Sequence, residues 1–148
     1  MSHDDFVQDL GISTPDMHMK VHYLNTDLEI ESKDDLSRIL EEFGEDVSVL
    51  HQGEIRGYQQ ASFEIAGSTS GADEVINYFC SLVESLPTEV REIWDGCCAR
   101  ILDVGYESGT TSPNYRSEIR ASTIRRVAEI GASIVVTIYP FREEVNTE

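Results

Sequence analysis

Four histidines, three cysteines and 28 carboxylates are the side chains with which this sequence could do chemistry. A metal site would draw on His18, His22 and His51 together with Cys80, Cys97 and Cys98. Their spacing is not that of a zinc site, and adjacent cysteines in a strand point to opposite faces. The histidines read more simply as the polar side of an alternating strand. A cysteine nucleophile needs a neighbouring base and an electropositive setting. Cys80 instead falls in an apolar helical stripe, and Cys97 follows Gly96 close to a strand start. A carboxylate pair for acid/base work could come from Asp103 and Glu107, near the end of a strand and beside Tyr106 and a glycine loop, whereas Asp34/Asp35 and Glu41/Glu42 fit the exposed face of a helix. In a chain this acidic, close carboxylate pairs also arise by chance. Phosphate-binding glycine loops, dinucleotide fingerprints and nucleophile elbows are missing from the sequence. The expectation is a protein that is not an enzyme, with no cofactor and no metal.

Charge is the dominant bulk property. Eleven basic residues against 28 acidic ones give a net charge of −17. Residues 1–74 carry 4 basic and 17 acidic side chains, and residues 75–148 carry 7 and 11, so the field is concentrated in the first half. Phosphate recognition needs a Lys/Arg surface, which argues against nucleic acid and anionic membranes as partners. Such a field serves solubility, or it steers a basic protein onto the surface. No stretch approaches the ~20 apolar residues of a membrane span. Three cysteines, two of them adjacent, make a poor disulfide framework, so reduced thiols and a cytoplasmic location are expected.

The elements that must position these groups follow from periodicity. Residues 1–16 are polar and acidic with Gly11 and Pro15, and read as a flexible leader. Strict alternation over residues 17–23 predicts a strand, which Leu28 and Ile30 continue after a break at residues 25–27. Leu36, Ile39, Leu40 and Phe43 have helical spacing up to Gly44, with Asp34 and Asp35 as an acidic first turn. Val47 to His51 predicts a second strand with a turn at Gly53, and residues 58–65 a third. An apolar stripe over residues 75–86 predicts a helix that resumes after Pro87 and ends at Gly96. Residues 98–106 read as a fourth strand, and Ile119 to Ile130 as a helix ending at Gly131. Residues 133–139, nearly all apolar and β-branched, read as a central strand buried on both faces. The expected fold is one α+β domain over residues 17–141, with a flexible tail at 142–148. It has a ferredoxin-like split β-α-β core, β-α-β-β-α-β, extended by a C-terminal helix and strand, with a mostly antiparallel sheet and helices on one face.

Two segments carry a resemblance, the run from Ile101 through Asp103-Val-Gly-Tyr106 to Gly109, and the run from Ala128 through Gly131-Ala-Ser-Ile-Val-Val-Thr-Ile to Pro140. Together they resemble the C-terminal half of the domain of unknown function 4279 family, and residues 28–54, with His51-Gln-Gly-Glu54, resemble its front half more loosely. The resemblance spans residues 18–140. It implies a small bacterial protein without enzymatic activity, of a kind found among candidate immunity proteins of toxin systems. With the charge, it leads to the expectation of an immunity protein that binds a basic, nuclease-like toxin, as a monomer or homodimer. The expected contacts are Asp34, Asp35, Glu41, Glu42, Glu45 and Asp46 around the first helix, with Tyr58 as an aromatic anchor. The rival expectation is a general protein-binding or regulatory module.

Overall fold

The computed structural model describes residues 20–67, 70–110 and 114–142. The leader at residues 1–16, the start of the alternating stretch with His18, and the last six residues of the tail lie outside these. In chain order the elements are β1 (His22–Ser32), α1 (Ser37–Phe43), a single 3₁₀ turn (Gly44–Asp46), β2 (Val47–Ile55), β3 (Tyr58–Ile65), α2 (Ala72–Glu84), α3 (Thr88–Asp95), β4 (Ala99–Glu107), α4 (Ala121–Glu129) and β5 (Ser133–Tyr139). The fold is mixed α+β, with a five-stranded, mostly antiparallel open sheet in the order β2-β3-β1-β4-β5 and four helices. β1 pairs antiparallel with both β3 and β4, and β2 pairs antiparallel with β3. Among the described residues only β4 and β5 are parallel neighbours, and α4 supplies the crossover that a parallel pair requires.

Alternation along β1 sorts the whole sheet. Thr26, Leu28, Ile30 and Ser32 are buried, whereas Asn25, Asp27, Glu29 and Glu31 between them are not. Cross-strand pairing extends the buried set to Ala61 and Phe63 on β3 and to Leu102 on β4, and period two carries it on to Ile65, Val104 and Tyr106. This apolar face joins Ile39 and Phe43 of α1, Val75, Ile76, Phe79 and Val83 of α2, and Val90 and Trp94 of α3 in one core. Phe43 meets Phe63 edge to face, with ring centroids 5.4 Å apart.

The end of α3 and the end of α4 are locked together. Trp94 is fully buried and donates its Nε1–H to the Ile130 carbonyl at 2.8 Å. Arg100 donates from Nε to the Gly131 carbonyl at 2.8 Å, and from Nη1 to the carbonyls of Trp94, Asp95 and Cys97 at 3.1, 3.0 and 2.8 Å. One guanidinium thus satisfies carbonyls left over at two helix ends. Gly131 has φ +73, a left-handed backbone that favours glycine, and a Cβ there would lie 3.1 Å from the Arg100 guanidinium, which would have to shift slightly. On its other side α4 is tied to α2 by Arg126, which holds Glu84 at 2.7 Å and the Asn77 Oδ1 at 2.7 Å.

The structure departs from the sequence-based expectations at four places. β1 runs unbroken through residues 25–27, and the disturbance there is a register shift between Tyr23 and Asn25. The hairpin turns at Arg56 and Gly57, both with positive φ, and not at Gly53, which lies inside β2. Asp34 and Asp35 precede α1 and do not form its first turn. β5 is an edge strand, not a central one, because nothing pairs with its outer side among the described residues.

Arg100→Met should lower the stability of the folded chain by about 2 kcal/mol, the weight of charged hydrogen bonds to carbonyls, as read from urea unfolding. Gly131→Ala should cost about 1–2 kcal/mol from the left-handed backbone alone.

Candidate functional site

The non-core positions of the three central strands converge on one acidic row. β1 contributes Asp27, Glu29 and Glu31, β3 contributes Glu64, and β4 contributes Asp103. Asp27 and Asp103 are direct cross-strand partners. Like charges facing each other across a ladder are destabilising, so the sheet tolerates a local conflict here. Among the described residues, no Lys or Arg stands at a position of β1, β3 or β4 on this polar face.

Neutral donors hold the carboxylates in place of cations. Asn25 donates its Nδ2–H groups to Asp27 Oδ1 at 3.0 Å and Glu64 Oε2 at 3.3 Å. Thr137 on β5 donates to Asp103 Oδ1 at 2.7 Å, and Gln60 donates to Glu31 Oε2 at 3.0 Å. These bonds orient the carboxylates without neutralising them. The charge on Asp27 is accordingly costly. Partial burial first, then Glu64, Asp103 and Glu29, push its carboxyl up to about 6. Glu29 is raised too, by burial and by Asp103. At one end of the face His22 Nε2 lies 3.3 Å from Glu107 Oε1.

Two shallow depressions border the row. One, of about 310 Å³, is lined by Glu29, Glu31, His51, Gln60, Ser62 and Ile101. The other, of about 480 Å³, lies where β1 and β3 meet the start of α2, and includes Asn25, Glu64 and Tyr23.

The carboxylates expected around the first helix do lie around α1. Asp34, Asp35, Glu41, Glu42, Glu45 and Asp46 are all exposed, spread over the loop before α1, the helix and the 3₁₀ turn. Asp35 accepts from the Ser37 amide at 3.1 Å and the Ser37 hydroxyl at 2.9 Å, which lowers its pKa, so its carboxylate serves the helix start. Tyr58 is half-buried and its ring faces Lys33 Nζ, 5.9 Å from the centroid. Among the described residues, no ion pair or ring contact joins Tyr58 to the six carboxylates.

Asp103, Tyr106 and Glu107 are not brought together by the fold. Tyr106 lies on the apolar face, donates to Ser117 Oγ at 2.7 Å and packs edge to face on Tyr23 and Tyr115. Asp103 is on the other face, and four residues of strand separate it from Glu107 by about 13 Å. Cys80 and Cys97 are buried, and burial pushes each thiol up to about 11, so both are protonated at neutral pH. Cys98 is exposed and donates to the Glu31 carbonyl at 3.3 Å. Among the described residues, no three His, Cys, Asp or Glu side chains are grouped so as to hold a metal ion, and no helix is long and apolar enough to cross a membrane.

The polar-face row escapes a reading based on hydrophobic spacing alone. Its signal is the alternation Asp27-Leu-Glu29-Ile-Glu31, which puts acid on every second position of one strand. No protein-family model matches the sequence, and the searches of curated proteins and of solved structures returned no match.

Asp27 titrates near pH 6 in the fold and near 3.8 when unfolded. Between those values the folded chain holds a proton that the unfolded chain has lost, so this group's contribution to stability falls as pH rises through the window. Asp27→Asn keeps the acceptor for Asn25 and removes the charge. It should raise the unfolding free energy at pH 7.5, read from urea unfolding, by on the order of 1 kcal/mol or less, and the gain should vanish near pH 4. A loss of stability at pH 7.5 would mean that the charge is not in conflict with its neighbours.

Proposed function

We propose that this chain is a non-enzymatic binding protein that docks a basic protein through the polar face of its sheet, and that it acts as an immunity protein against a basic, nuclease-like toxin. The observation that carries this reading is the row Asp27, Glu29, Glu31, Glu64 and Asp103, in which neutral donors orient Asp27, Glu31, Glu64 and Asp103 and, among the described residues, no Lys or Arg stands on the central strands of that face. Such a surface is destabilised when alone and relieved when cationic side chains arrive. Lys or Arg tips from a partner fit the two depressions that flank the row. A toxin that grips phosphate presents that chemistry, and the net charge of −17 accelerates the encounter. The wider fold reading belongs to the same proposal. The pairing of β1, β2, β3 and β4 fits a ferredoxin-like split β-α-β core that β5 extends, with helices on the apolar face and the polar face free for a partner. The resemblance to the domain of unknown function 4279 family and a cytoplasmic, bacterial setting accord with this role.

The test uses purified cationic nuclease domains of bacterial toxins as probes, with biolayer interferometry at low and high salt and growth rescue on co-expression. One domain should bind with an association rate that falls steeply as salt rises, and the chain should rescue growth. The Asp27→Asn/Glu64→Gln/Asp103→Asn variant should bind about tenfold or more weakly, while retaining its fold by circular dichroism. The Asp34→Asn/Asp35→Asn/Glu41→Gln/Glu42→Gln variant should bind nearly as the parent does. The reverse ranking would transfer the site to α1, and binding without rescue would leave a binding module that is not an immunity protein.

A further inference from the structure

The two edges of the sheet are built differently. β2 carries a register shift between Val49 and His51 and bears Glu54, both of which discourage another strand from adding to that edge. β5 has neither device. Ser133–Tyr139 holds no charged residue and no proline, and its ladder with β4 is regular from Ser133 to Tyr139. Apolar surface is left on both its sides, with Val135 and Tyr139 exposed on the polar face, and Val136 and Ile138, 57 and 64 % exposed, on the apolar face beyond the helices. α4 adds to this strip. Arg126 marks the side of α4 turned to α2, so Ile124, at 51 % exposure, and Ala128 lie on the side turned away from α2.

We infer that β5 is the site of self-association, pairing antiparallel with β5 of a second copy across a two-fold axis centred on Val136. The sequence of the strand is self-complementary in that register. Val136 faces its own counterpart, and Ile134 faces Ile138 of the second copy, so apolar side chains meet only apolar ones on the helix side. On the polar side Val135 faces Thr137, and Ser133 faces Tyr139. Flanking charge favours the same arrangement. Arg125 and Glu129 lie one turn apart on the exposed side of α4, and an antiparallel α4 from the second copy would set Arg125 of each opposite Glu129 of the other. Residues 114–148 hold five Arg against five Glu, so this part of a −17 chain carries far less net negative charge than residues 1–74. The product is a continuous ten-stranded sheet with both acidic faces on the same side.

Sedimentation equilibrium of the whole chain across the micromolar range tests this. The expected result is a species of twice the chain mass whose dissociation constant tightens with salt, because the copies carry like net charge. Val136→Lys and Ile138→Lys, at exposed positions, should each weaken the dimer by about tenfold or more without moving the thermal midpoint of the monomer. Leu50→Lys on the β2 edge should leave it intact. A chain that stays monomeric throughout, or a dimer indifferent to both β5 substitutions, overturns the inference. The salt response separates this outcome from that of toxin binding, which weakens as salt rises.

Discussion

The constraint on which the rest of the structure depends is the two-residue period of β1 at the centre of the sheet. β1 is hydrogen-bonded on both sides, so its register fixes which residues of β3 and β4 share its faces. Leu28 and Ile30 must be buried, and that requirement alone turns Asp27, Glu29 and Glu31 to the opposite side. The acidic row is therefore inseparable from the core. A slip of one residue would bury three carboxylates, a cost far above any gain from separating Asp27 and Asp103. The like-charge conflict on the polar face persists because the core overrides it.

The same logic explains how the periphery is held. α4 and β5 come last in the chain and lack the two-sided pairing of β1. β5 is held on one side by its ladder with β4, and the end of α4 is held by Trp94 and Arg100, where one indole and one guanidinium meet the carbonyls of Ile130 and Gly131 just before β5 begins. Arg126 secures the other side of α4 through Asn77, Ser81 and Glu84. β5 is thus placed by its full-length ladder with β4 and by polar contacts at the end of α4, while its apolar side chains are left largely uncovered.

Periodicity made the element types legible. The spacing of Ile39 and Phe43, the stripe from Val75 to Val83, and the glycine after α4 all mark structures found where expected. Neighbour relations were less legible. The β-branched run at residues 133–139 has the composition of a central strand, yet a strand's composition does not say whether anything lies beyond it. The hairpin turn eluded the reading because Arg56 takes a positive φ that arginine rarely adopts, whereas Gly53, the conspicuous turn residue, is accommodated within β2. The acidic residues around α1 drew attention as a dense cluster in sequence. The polar-face row is dispersed over residues 27 to 103 and is assembled only by strand pairing.

The central claim is that the polar face, and not α1, receives the basic partner. Amide hydrogen exchange of the chain alone and in complex with a cationic toxin domain tests it most directly, because it maps protection along the backbone without altering a residue. The account predicts added protection in β1, β3 and β4 around Asp27, Glu64 and Asp103, with α1 unchanged. Protection confined to residues 34–46, with the central strands unaffected, would contradict it.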